Sequence, residues 1–178
     1  SGVYAGYYDG HNTETAAGTA RDDSINRLQV GFRSDWRHGS DELTFLGNAY
    51  RGTEGQPLPG TVVLEGIELD LGIIPLSGVN LLGRWKRPLQ NGDVTVQAYY
   101  DRTERTVPPT FAETLDIFDV QLQHTTRLGN RHTFSWGGEY RQSHDQLENG
   151  VIFGFLPADL TQKWVSGFAQ DEIALSDR

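Results

Sequence analysis

The sequence contains no cysteine and no methionine among its 178 residues. Without cysteine, the chain can form no disulfide framework, no thiolate metal site and no cysteine nucleophile. Without methionine, no initiator residue stands before Ser1, and the residues at both ends already have the pattern of strands. We therefore expect the chain to be a piece of a longer protein.

Basic residues and long apolar runs are also scarce. The net charge of -9 argues against a nucleic-acid groove, because such a groove needs clustered Lys and Arg. No run approaches the roughly 18 apolar residues that a membrane-spanning helix requires. Neither scarcity argues against a membrane β-barrel, since only every second residue of its strands faces lipid.

Two-residue periodicity is abundant. The clearest case is the stretch from Thr114 to Ser143, which we predict to be a hairpin folded at Gly129-Asn130. Because successive side chains of a strand point to opposite faces, this period predicts arms with one apolar and one polar face. Arms of about 14 residues also exceed the usual length of a strand. The alternating residues are Phe118, Val120 and Leu122 against Asp119, Gln121 and Gln123, then Phe134, Trp136 and Tyr140 against Ser135, Glu139 and Arg141.

The same period predicts about eight long antiparallel strands in an up-and-down meander. Connections at Gly39, Asn91 and Gly129 are very short, and Asn91-Gly92 favours a type I′ turn. Long connections alternate strictly with them, so all tight turns should lie at one end of the sheet. These long connections are Asp9–Asp23, Arg51–Gly78, Thr103–Glu113 and Leu147–Leu160, and within the second of them Val62 to Ile74 could form a short strand or a helix.

Loop sorting of this kind is typical of outer-membrane barrels, with short periplasmic turns and long outer loops. Small residues at apolar positions, such as Gly47, Ala49, Ala98 and Gly138, suit a lipid-facing surface better than a packed core. Aromatic residues near strand ends fit the girdles of such barrels. These residues are Trp36, Tyr50, Trp85, Tyr100, Trp136 and Tyr140.

We therefore predict an all-β fold in which residues 1–178 form part of a transmembrane β-barrel domain. The polar face would line the lumen, which tolerates charges of both signs. The charged residues expected on it are Arg27, Arg33, Asp35, Arg37, Asp101, Asp119, Arg127, Glu139 and Arg141.

Two motifs in the last third resemble the barrel of TonB-dependent outer-membrane receptors. The run Gly137-Gly138-Glu139-Tyr140-Arg141 resembles that family's "GxEYR" hairpin. The run from Val165 to Asp177 resembles the strand of "xxFxQDExxLxD" type that commonly follows it. Within this run, Gln170-Asp171-Glu172 match the pattern. The resemblance implies no catalytic role for them, and we expect them to face the lumen or lie near a turn.

The resemblance implies a transporter, not an enzyme, in the outer membrane of a Gram-negative cell. Its cargo would be a ferric siderophore, cobalamin or another scarce nutrient such as a glycan. The family's barrel has 22 strands around an N-terminal plug domain, and TonB supplies energy through a short box near the N-terminus. Neither the plug, nor the box, nor the remaining strands are visible in this sequence. The implied partners are the lipid bilayer with its lipopolysaccharide, TonB and a small nutrient ligand.

No catalytic, cofactor-binding or metal-binding residue is predicted. The five histidines, His11, His38, His124, His132 and His144, lack the spacing of a metal site. No phosphate loop, nucleophile elbow or paired-acid motif is present. Ligand contacts are expected first in Arg51–Gly78 and then in Leu147–Leu160, with Phe153 and Phe155.

Two other readings stay open: a small soluble β-barrel that binds a ligand, and another outer-membrane barrel such as a porin or an adhesin. Complete bacterial barrels usually end in an aromatic residue, whereas this chain ends in Arg178. A partial barrel also has two unpaired edges and an uncovered apolar face. Alone, it should pair its edges with another copy, close into a smaller barrel or stack its apolar faces in an oligomer.

Overall fold

The computed structural model describes residues 1–56, 62–64, 67–69, 71–151 and 154–175. Strands account for all the regular structure in these ranges. They are β1 (Gly2–Gly10), β2 (Ile25–His38), β3 (Asp41–Glu54), β4 (Val62–Leu64), β5 (Ile67–Leu69), β6 (Ile74–Leu89), β7 (Gly92–Val107), β8 (Phe111–Leu128), β9 (His132–Asn149) and β10 (Asp159–Ile173).

Eight of these strands form one antiparallel sheet in the order β1-β2-β3-β6-β7-β8-β9-β10. The short strands β4 and β5 pair with each other inside the connection from β3 to β6. The predicted all-β, up-and-down meander of eight long strands is therefore confirmed. Among the described residues, β1 pairs with β2 alone and β10 with β9 alone, so the sheet is open. Closure into a smaller barrel does not occur in the single chain, and the other two outcomes expected of an isolated piece stay predictions.

The connection between β7 and β8 is much shorter than the predicted Thr103–Glu113. The two strands stay paired up to Val107 and Phe111, so only 108–110 connect them. Thr110 N–H donates a hydrogen bond of 2.7 Å to the Val107 carbonyl. Pro108-Pro109 misled the prediction because prolines break a ladder only where a donor is needed, and here they occupy the tip.

The connection after β3 is also shorter than predicted. Arg51 to Glu54 still belong to β3, and β6 begins at Ile74, so that Pro75 and Gly78 lie inside this strand. The apolar stretch from Val62 to Ile74 contains the two short strands and no helix in its described part. The three turns predicted to be tight lie at one end of the sheet, and the four other connections lie at the opposite end. The connection 108–110 is as short as the β8–β9 turn 129–131, however, so the predicted sorting of short and long connections by end is wrong for β7–β8.

The three turns predicted to be tight differ in whether they contain a glycine with a positive φ. Gly39 has a φ of 59° and Gly129 a φ of 65°, so both use the left-handed freedom that glycine has. The predicted type I′ turn at Asn91-Gly92 is wrong, because neither residue has a positive φ. Gly92 is instead the first residue of β7, where a Cβ would lie 1.9 Å from the Thr125 carbonyl oxygen of β8.

Glycines inside the strands often lie beneath an aromatic ring of the neighbouring strand. A Cβ at Gly31 would lie 2.5 Å from the Tyr4 ring, and a Cβ at Gly78 would lie 2.6 Å from the Tyr50 ring. In every such pair the two residues are direct partners in the ladder, so the ring covers backbone that has no side chain of its own. The pairs are Tyr4/Gly31, Phe32/Gly47, Phe45/Gly83, Tyr50/Gly78 and Phe168/Gly137.

We expect Gly92→Ala to lower the free energy of unfolding by about 1–3 kcal/mol, because its methyl group would overlap the β8 backbone. Asn91→Ala should change it little, since Asn91 has no positive φ to maintain. Urea unfolding in detergent micelles measures both variants, and Gly6→Ala is a second control because nothing lies within 4 Å of its Cβ position. A larger loss from Asn91→Ala than from Gly92→Ala would contradict this account.

Candidate functional site

The ladder registers place the predicted apolar residues on one face of the sheet. Directly paired residues share a face, and the row through Phe32, Gly47, Leu81, Tyr100 and Phe118 is continuous across five strands. Its neighbouring rows carry the other predicted apolar residues. This face is open in the chain, with Val3 86% exposed, Val30 45% and Phe118 46%. Nothing in the described sheet covers it.

The apolar residues form a band whose upper edge, toward the long connections, descends in steps. On β1 and β2 the last apolar residues are the paired Tyr7 and Leu28, but the partner of Leu28 on β3 is Arg51. The edge therefore moves two residues toward the tight turns, to Ala49. The complete edge consists of four direct ladder pairs: Tyr7 and Leu28, then Ala49 and Val79, then Tyr100 and Phe118, then Tyr140 and Val165.

Each step has the same size and direction. Val79 pairs with Arg102, two residues above Tyr100, and Phe118 pairs with Gln142, two residues above Tyr140. Two residues for every two strands is one residue per strand. At about 3.3 Å per residue and about 4.8 Å between strands, the band is inclined to the ladder by about 35°. Strands of closed barrels tilt by about 35–45° from the barrel axis, so a level lipid boundary on such a barrel would be inclined in this way.

The two edges of the band carry different aromatic residues. Tyr100 and Tyr140 lie at the upper edge and donate hydrogen bonds upward, to Asp116 at 2.6 Å and to Gln142 at 2.8 Å. Trp36, Trp85 and Trp136 lie near the lower edge, toward the tight turns. Trp136 donates its indole N–H to His124 Nδ1 at 3.1 Å. Rings with one dry end and one wet end are typical of membrane interfaces.

Tyr50 corrects one part of the predicted girdle. Its ladder partner is Gly78, and its neighbour Ala49 lies on the apolar face, so Tyr50 faces the polar side. The tyrosine lies near a strand end, as predicted, but the parity of β3 puts it on the other surface. Its ring packs between Gly78 and the Arg27 guanidinium.

The opposite face carries all nine charged residues predicted for it, as the registers show. Most of its arginines are paired with carboxylates. Asp119 is 2% exposed and accepts a hydrogen bond of 3.0 Å from Arg141 Nε. The Arg141 guanidinium also lies 3.4 Å from Glu139. The other pairs are Arg33–Asp35, Arg37–Glu42 and Arg105–Glu113.

The last strand contributes to both faces. Trp164 pairs with Arg141 and Phe168 pairs with Gly137, which places both aromatic rings on the polar face. Of the three residues matching the family pattern, Gln170 and Glu172 share that face. Asp171 lies on the other face, near the tight turn, where its carboxylate is 2.7 Å from His132 Nδ1.

The long connections predicted to contact a ligand are partly described. Phe153 lies outside the described residues. The Phe155 ring packs edge-on against the Phe111 ring, with their centroids 5.6 Å apart. The backbone N–H of Phe155 donates a hydrogen bond to the Asn149 side chain. In the connection after β1, hydrogen bonds from the Thr13 side chain and backbone hold the pKa of the Asp23 carboxyl below its usual value.

Within the described ranges, no three His, Asp or Glu side chains come together in a group that could hold a metal ion. No helix in that part of the chain has the length and apolar character needed to cross a membrane. Comparison with protein-family models, with curated proteins and with solved structures gives no match.

We expect Arg141→Gln to lower the free energy of unfolding by on the order of 2 kcal/mol, because it leaves the buried Asp119 carboxylate without its charged partner. Arg33→Gln, which breaks an exposed arginine–carboxylate pair on the same face, should have a much smaller effect. Urea unfolding at neutral pH compares the two. Equal losses of unfolding free energy in the two variants would show that the burial of Asp119 does not increase the contribution of its ion pair to stability.

Proposed function

We propose that this chain forms part of the wall of an outer-membrane β-barrel, a TonB-dependent receptor that takes up a scarce nutrient. The single observation that supports it most is the inclined apolar band with tyrosines at one edge and tryptophans at the other. The proposal is a transport function, with lipid on the apolar face and an aqueous lumen on the polar face.

Lipid is the solvent that fits the apolar face best. The sheet is one layer thick, and a water-soluble domain of this class needs a second layer over its apolar face. An uncovered apolar face of eight strands is unfavourable in water. Acyl chains can fill the hollow above Gly138, over which no side chain lies, whereas a packed protein core would need a matching side chain there. The interfacial aromatic residues add a second, independent indication.

The polar face fits the inside of a barrel. Arginine–carboxylate pairs follow one another across it, and such a mixture of charges is tolerated where water or a plug fills the lumen. The three turns predicted to be tight would face the periplasm, and the four connections at the other end, three of them long, would face outward. A porin or adhesin would use the same wall, so the receptor assignment rests on the motifs at Gly137–Arg141 and Val165–Asp177.

Tryptophan fluorescence tests the membrane assignment. Trp36, Trp85 and Trp136 lie on the apolar face and Trp164 lies on the polar face. In single-tryptophan variants of the full-length protein in vesicles, lipids brominated on their acyl chains should quench the first three and spare Trp164. Uniform quenching, or quenching of Trp164 alone, would remove the lipid assignment.

Uptake in cells tests the receptor assignment. Cells that express the full-length protein and depend on it for a scarce nutrient should lose growth on that nutrient when TonB is deleted, because transport against a gradient needs an energy source. Growth that needs the protein but not TonB would favour a porin. The control is growth with the nutrient supplied at high concentration, where it enters through an unrelated route across both membranes.

A further inference from the structure

We propose that Arg27, held against Tyr50 on the polar face, is the anion-binding centre of a site for an acidic sugar. The inference rests on the proposed function, because it takes the polar face as the surface along which a solute passes. It names the class of solute. The site lies near the long connections, between β1, β2, β3 and β6, where an entering solute would arrive first.

The guanidinium of Arg27 is held in a three-layer stack. Its Cζ atom lies 4.1 Å from the centroid of the Tyr50 ring. The same ring lies on Gly78, where a Cβ would come within 2.6 Å of it. Because Gly78 has no side chain, the ring has room to lie against the β6 backbone, and from there it contacts the guanidinium. An arginine oriented in this way loses less entropy when it binds a ligand.

The edge of this guanidinium has no carboxylate partner among the described residues. Four other arginines of the polar face are paired with Asp or Glu, as described above for Arg33, Arg37, Arg105 and Arg141. Within the described residues the N–H donors of Arg27 are therefore available, and their fork matches the two oxygens of a carboxylate. A carboxylate on the solute would supply the partner that the protein supplies elsewhere.

The surroundings of Arg27 favour a hydroxylated ring over a small acid. Tyr8 is its direct ladder partner and is 60% exposed, and Tyr4, four residues farther along β1 on the same face, is 52% exposed. Gly6, between these tyrosines, leaves open space above the sheet. The C–H face of a sugar ring can pack on such exposed aromatic surface.

Amide side chains continue the surface beside Tyr4. Its hydroxyl donates to Asn48 Oδ1 and accepts a hydrogen bond from Gln29, and Asn48 donates to Asn80 at 3.0 Å. Amides both donate and accept, as sugar hydroxyls do. A neutral sugar would leave Arg27 unpaired, and a small acid would leave the tyrosines and amides uncovered. An acidic sugar uses both.

Arg84 provides a matched comparison on the same face. It also lacks a carboxylate partner in the described part of the chain, but its ladder partners are Thr44 and Gln97, and no aromatic ring is stacked on it. Removing the charge of Arg84 changes the net charge of the polar face as much as removing the charge of Arg27. Only the loss of Arg27 removes the proposed site.

Calorimetric titration of the full-length protein in detergent tests the inference, with trigalacturonate and sialyllactose as acidic probes and maltotriose and lactose as their neutral counterparts. We expect at least one acidic probe to bind more tightly than its counterpart. Arg27→Gln should weaken that binding about tenfold or more, while Arg84→Gln leaves it nearly unchanged. Arg27→Lys should restore little, because lysine has neither the fork nor the stacking plane.

The inference is overturned if neither acidic probe binds more tightly than its counterpart, or if the Arg27 and Arg84 variants weaken binding equally. Brominated-lipid quenching of the single-tryptophan variants in vesicles separates the two proposals. If the three outward tryptophans are quenched and no acidic probe binds, the sugar site fails and the membrane wall stands. If they are not quenched, the membrane assignment fails first.

Discussion

Backbone hydrogen bonds between neighbouring strands hold this chain together, because the sheet is one layer thick and none of the larger side chains in its described part is fully buried. Most globular domains stabilise a sheet by packing a second layer on it. Here the ladder aligns the strands, and cross-strand pairs such as Asp119–Arg141 reinforce the alignment locally. What covers the apolar face then decides whether the sheet persists, so the surrounding solvent is part of the fold.

The two-residue period predicted which residues lie on each face of the sheet, because alternate side chains of any strand point to opposite faces. It placed all nine charged residues correctly, and the tight turns at Gly39, Asn91 and Gly129 followed from local sequence. It failed where a residue's role depends on a partner far along the chain. Pro108-Pro109 read as the middle of a loop, although the strands pair up to its edges. Gly92 read as a turn glycine, although it makes room for β8.

The inclination of the apolar band could not be predicted from the sequence for the same reason. Which residues lie side by side on two strands depends on the register, and a shift by one position along the chain leaves the alternation unchanged. The steps from Leu28 to Ala49 and from Val79 to Tyr100 become visible once the ladder pairs are known. Likewise, the stack of Arg27 on Tyr50 on Gly78 joins residues from three strands, and no spacing in the sequence indicates it.

The hairpin of β7 and β8 extends well beyond the apolar band. Its strands leave the apolar band at Tyr100 and Phe118 and stay paired for seven more residues, to Val107 and Phe111. At about 3.3 Å per residue this is an arm of about 23 Å. Because it is hydrogen-bonded along its length, the arm would project as one rigid unit beyond the lipid boundary of the proposed barrel. A macromolecule approaching that barrel from this side would meet the Pro108-Pro109 tip before any other part of the hairpin.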